Sequence, residues 1–141
     1  MLLCDHVAVA EGKLYISGGG WSLTGPAPAP SGIAILVGVP WDQANHGHHL
    51  RLALEREDGE PATQPNELGQ PQAIQFEADF EVGRPPGITR GAALDLPLAL
   101  NLPPLGLEPG QRYRWVLEVD GERNIDWVLP FSVRPASPAP G

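Results

Sequence analysis

Residues 74–82, Ile-Gln-Phe-Glu-Ala-Asp-Phe-Glu-Val, alternate apolar and polar side chains without a break. Side chains on an extended chain point to opposite faces with a period of two. Ile74, Phe76, Ala78, Phe80 and Val82 therefore share one dry face, and Gln75, Glu77, Asp79 and Glu81 share a wet one. The segment demands a sheet with a core on one side only. Comparable patterns at 3–9, 13–17, 33–39, 50–56, 94–102, 113–119 and 125–133 bring the expected strands to eight. The run at 33–39 is more continuously apolar, as in a strand buried on both faces.

Turn chemistry punctuates these runs. Ala10-Glu11-Gly12, Asp58-Gly59 and Asp120-Gly121 mark reversals, the last a strong hairpin signal. Gly83-Arg84-Pro85-Pro86-Gly87 ends any ladder, because proline offers no N–H. Pro97 places its strand at an edge or a bulge, and Pro130 implies an edge for the last strand. Residues 18–32 and 60–72 read as loops, and 135–141, Pro-Ala-Ser-Pro-Ala-Pro-Gly, as a disordered tail. No window carries a helical period. The expectation is all-β: a single antiparallel β-sandwich of seven or eight strands over residues 1–134, immunoglobulin- or fibronectin-like.

A chain of 141 residues can bury such a core without covalent staples, and its one cysteine, Cys4, allows no internal disulfide. The N-terminus has no basic region, long apolar core or cleavage site, and no stretch reaches the length of a membrane helix. These features predict a cytoplasmic protein. Nine basic residues are scattered among 17 acidic ones for a net charge of −8, which argues against nucleic acid and anionic membrane as partners. Only one basic residue, Lys13, is a lysine, and with 17 Gly and 17 Pro this usage resembles that of a GC-rich bacterial genome.

Two stretches carry resemblances. Leu107-Glu108-Pro109-Gly110-Gln111-Arg112-Tyr113 resembles the segment leading into the penultimate strand of fibronectin type III domains. The resemblance implies that Tyr113 is a tyrosine corner, with its hydroxyl bonded to the backbone of the connection. The segments Lys13 to Trp21, Val39-Pro40-Trp41-Asp42 and 80–87 resemble a family of small bacterial proteins, a domain of unknown function, over most of residues 1–134. That likeness brings no activity and no site residues.

Sites of chemistry are sparse. Gly18-Gly19-Gly20 is followed by Trp21-Ser22 rather than the Lys and Ser/Thr of a phosphate loop, and reads as a strand end with a close backbone approach. His46, His48 and His49 read as a solvated turn without the further ligands a metal needs. No nucleophile elbow occurs, and the row Glu77, Asp79, Glu81 reads as a solvated face. No cofactor is expected. Trp115 and Trp127 fall at inward positions, whereas Trp21 and Trp41 stand beside glycines and turns, where large aromatics mark interfaces. The candidate binding residues are therefore Gly19, Gly20, Trp21, Leu23, Pro40, Trp41 and Asp42. The expected role is a non-enzymatic interaction or assembly module that binds another protein or itself. The alternative is a small-ligand or carbohydrate-binding domain using Trp21 and Trp41.

Overall fold

The computed structural model describes residues 1–136. Most of the expected tail, residues 137–141, lies outside the described residues. The described chain is all-β. Its strands are β1 (Leu2–Cys4), β2 (His6–Ala10), β3 (Lys13–Ser17), β4 (Leu23–Thr24), β5 (Ser31–Val39), β6 (Gly47–Arg56), β7 (Thr63–Pro65), β8 (Pro71–Ala73), β9 (Gln75–Glu81), β10 (Leu94–Leu102), β11 (Arg112–Val119) and β12 (Glu122–Val133).

Two sheets share one core. The order β1-β5-β10 makes the smaller, and β4-β12-β11-β6-β9 the larger. Leu3, Ile33, Ile35 and Leu102 from the first meet Leu50, Leu52, Leu54, Tyr113, Trp115, Leu117, Phe131 and Val133 from the second. The hairpin β2-β3 lies on the outer side of the smaller sheet, where Val7 packs with Cys4 and Ala34. Asn101 of β10 holds that hairpin. Its Oδ1 accepts from the Val7 N–H at 3.0 Å, and its Nδ2 donates to the Val7 carbonyl at 2.7 Å, so one amide satisfies both backbone groups.

The corner forms as the resemblance implies. The Glu108 N–H donates to the Tyr113 hydroxyl at 3.0 Å, and Tyr113 stacks on Phe131 with ring centroids 5.9 Å apart. Tyr113→Phe would keep the ring and leave the Glu108 N–H unmatched. The expected cost is about 1–3 kcal/mol, read as a lower unfolding midpoint with an unchanged denaturant slope. A midpoint equal to that of the wild type would contradict the corner.

Several expectations change. The described residues form twelve strands in four sheets, and the pair β4–β12 is parallel, with Ser132↔Leu23 and Val133↔Thr24 in register. The single strand expected at 3–9 breaks at Asp5, whose N–H leaves the ladder to meet the Ser17 carbonyl at 3.0 Å. β1 then pairs with β5 and β2 with β3. The loop at 60–72 contains the hairpin β7-β8, closed by Asn66, whose Oδ1 accepts from the Leu68 and Gln70 N–H groups at 2.9 and 3.0 Å. His48 and His49 lie on β6 rather than in a turn.

Candidate interaction surfaces

Trp21 follows a glycine path fixed by crowding. A Cβ on Gly18 would lie 2.1 Å from Asp5 Oδ2, and one on Gly19 would lie 2.8 Å from Ile16 Cγ2 and 3.0 Å from Leu2 Cδ2. The Gly20 N–H donates to the Leu3 carbonyl at 2.7 Å, which delivers Trp21 to the end of the core. Its ring meets Phe131 edge-on at 6.2 Å. Trp21, Trp115, Phe131, Leu105 and the Pro26 to Pro30 segment line a cavity of about 290 Å³. Leu23 of β4 lines it too and remains exposed.

Trp41 opens a short 3₁₀ turn, Trp41–Gln43, with Pro40 before it and Asp42 within it. The Arg84 guanidinium lies over the indole, 4.3 Å from the ring centre, and one of its amino groups donates to the Trp41 carbonyl at 2.7 Å. One face of this ring is therefore covered. Ser31 at one end of β5 borders the Trp21 cavity, while Val39 at the other end leads into Trp41. A strand of that length spans roughly 25–30 Å at ~3.3 Å per residue. The structure thus places Gly19, Gly20, Trp21 and Leu23 at one end and Pro40, Trp41 and Asp42 at the other, and does not join them.

His48 and His49 engage carboxylates. The His48 ring, 9 % exposed, lies between the Gln43 carbonyl, 3.0 Å from Nε2, and the Asp120 carboxylate, 2.7 Å from Nδ1. Both neighbours are acceptors, so only the cation, donating from both nitrogens, satisfies them together. The Gln43 carbonyl and then Asp120 hold its pKa above the ordinary 6.5, and Asp120 is held low chiefly by His48. His49 donates to Asp79 at 2.7 Å on the exposed side. Among the described residues no group of three or more His, Cys, Asp or Glu is placed to hold a metal ion.

A raised folded pKa stabilises fully below the unfolded value and is lost as pH rises through the folded one. The melting temperature should therefore fall as pH rises above 6.5 through the raised pKa of His48, and His49, raised chiefly by Asp79, adds to the fall. Asp120→Asn should flatten that fall. An identical pH profile in the variant would contradict the pairing.

The two outer faces differ in kind. On the larger sheet, Glu55 accepts from Arg114 at 3.0 Å and Arg123 at 3.2 Å, and Glu118 accepts from Arg123 and from Arg51 at 3.2 Å. On the smaller sheet, Ile33 and Ile35 point into the core, so Gly32, Ala34, Leu36 and Gly38 of β5 point outward. The β2-β3 hairpin covers Ala34, but Leu36 stays 56 % exposed. Leu2, Val9, Tyr15 and Ile16, on β1 and the hairpin, are exposed as well.

Residues 1–134 match the Family of unknown function (DUF6941). The chain belongs to that family. No curated protein and no solved structure matches it. No helix among the described residues of this DUF6941 chain is long and apolar enough to cross a membrane. Cys4 is fully buried, and burial and Asp5 push its thiol pKa up, the reverse of what a nucleophile requires. The outer face of β5 escaped the list of candidate residues in the DUF6941 sequence, although its signal was there: a strand without a polar side chain between Gly32 and Val39.

Proposed function

We propose that this DUF6941 chain is a non-enzymatic interaction or assembly module of the bacterial cytoplasm, built on an immunoglobulin-like sandwich. The fold reading is supported by the order β1-β5-β10 against β4-β12-β11-β6-β9, and by the tyrosine that opens the penultimate strand. A single buried thiol fits a reducing compartment.

One observation carries the functional reading, the apolar outer face of the smaller sheet. A sheet face turned to water normally carries polar side chains. β5 instead has the composition of a strand covered on both sides, and the hairpin covers only its first half. Exposed apolar side chains on one sheet face, here Leu36 beyond the hairpin, support a protein contact there. The partner, another protein or a second copy, covers Leu36 and its neighbours. Affinity purification of the tagged chain beside Leu36→Glu, followed by mass spectrometry and sedimentation, tests this. Proteins or dimers that disappear specifically in the variant are expected. An identical set with both chains would overturn the reading.

A second reading, a small-ligand site, is favoured by the cavity at Trp21, whose walls include Trp115 and Phe131. Its volume lies at the lower limit for small-molecule sites. Ligand-induced quenching of tryptophan fluorescence that is lost in Trp21→Ala would promote it.

A further inference from the structure

The two large sheets end in four edge strands, β1 and β10 on one and β4 and β9 on the other. Three of them are short or interrupted. β1 has three residues and β4 has two, while Pro97 removes a donor from β10. β9 is different. It runs seven residues without Pro, Gly or bulge, paired one-to-one with β6 from Gly47↔Glu81 to Ala53↔Gln75.

The direction of its free groups follows from its neighbours. The Asp120 N–H donates to the His49 carbonyl at 2.8 Å, so His49 presents its backbone to the β11 side. Leu50, the next residue, presents its backbone to β9, where it pairs with Ala78. Backbone direction alternates along a strand, so Ala78 faces β6, and Glu77 and Asp79 turn their N–H and C=O groups away from the sheet. No strand among the described residues pairs with that side of β9.

Its side chains describe what would fit there. Glu77, Asp79 and Glu81 line the outer face. On the inner face Phe76 and Phe80 are only partly buried and Ala78 is exposed, with the partly buried Leu98 and Leu100 of β10 in the same core cluster. We propose that the β9 edge accepts an extended segment of another protein as an added strand, one alternating basic and apolar residues. Its basic side chains lie beside the carboxylates, its apolar ones beside Phe76, Ala78 and Phe80, and its backbone meets the free groups of Glu77 and Asp79. A second copy of β9 is a poor occupant, because it would set carboxylates against carboxylates.

The probe is a fluorescently labelled seven-residue peptide alternating lysine with valine, titrated against the full chain. Saturable binding that weakens with salt is expected, at least about tenfold tighter than that of a peptide with the same residues in two blocks, since the blocks set lysines against the apolar face and valines against the carboxylates. Asp79→Pro should lose it while Asp79→Ala keeps most of it, because proline removes an outward N–H and leaves the β6 ladder whole. Backbone methylation of alternate peptide residues, in two sets, tests the same bonds without altering the protein, and only one set should abolish binding. No saturable binding, equal affinity for the block peptide, or indifference to both methylation sets would overturn the proposal and leave β9 as an edge defended by charge. A dimer of the chain broken by Asp79→Pro would overturn it too, giving the edge to a second copy.

Discussion

Trp115→Ala is expected to cost this domain about 3–5 kcal/mol, a large share of the stability of any chain this size. Trp115 is 2 % exposed, sits in the middle of β11 and packs against Phe76 with ring centroids 6.2 Å apart, so nothing nearby can collapse into the void without disturbing both sheets. Trp41→Ala should cost less than about 1 kcal/mol, since it removes one partly buried ring outside the core clusters and its contact with Arg84. Trp21→Ala should fall between them, because Trp21 closes the end of the same core against Phe131. Denaturant melts of the three variants decide. Equal midpoints for the Trp41 and Trp115 variants would make both loop tryptophans structural caps of the core.

The second large effect concerns Glu55, the one buried charged residue of the described chain, 6 % exposed on the outer side of β6. Its carboxylate accepts from Arg114 Nε at 3.2 Å and Nη2 at 3.0 Å, and from Arg123 Nη1 at 3.2 Å. Replacing both arginines by methionine keeps their stems and strands the charge. The expected loss is about 3 kcal/mol, the lower part of the range for an abandoned buried charge, because both arginines are about half exposed. Adding Glu55→Met should restore most of it, since a fully apolar replacement of a buried ion pair is often neutral. A triple variant no more stable than the double one would show that the loss came from the arginine stems and not from the charge.

The strands with a periodic face were legible in the sequence. Leu94 to Leu102 and Lys13 to Ser17 appear with the bounds their alternation implies, and 50–56 grew only at its start, where His48 and His49 join β6. What period cannot convey is partner choice. One alternating run, 3–9, became two strands because the Asp5 N–H is taken by the end of β3, and neither half betrays in its own residues which sheet it joins. β12 hides a similar event. Val116↔Val128 is followed by Glu118↔Arg123, so extra residues loop out of the ladder and leave Ile125 90 % exposed. β4 is two residues long and too short for any pattern.

The same limit governed the candidate surfaces. Trp21 and Trp41 were singled out for their surroundings, and their separation by the length of β5 depends on topology alone. Whether an apolar strand is covered on both sides likewise depends on where the β2-β3 hairpin lies. The acidic row of β9 was visible at once, but its place at an edge was not.

Crosslinking from the outer face of β5 tests its role as a protein contact most directly. A photoreactive phenylalanine analogue placed at Leu36 and, separately, at Arg112 on the salt-bridged face of the larger sheet would be activated in the native host cell. A discrete covalent adduct to a protein, or to a second copy, is predicted from position 36 and none from position 112. Adducts absent from position 36, or identical from both positions, would contradict the account.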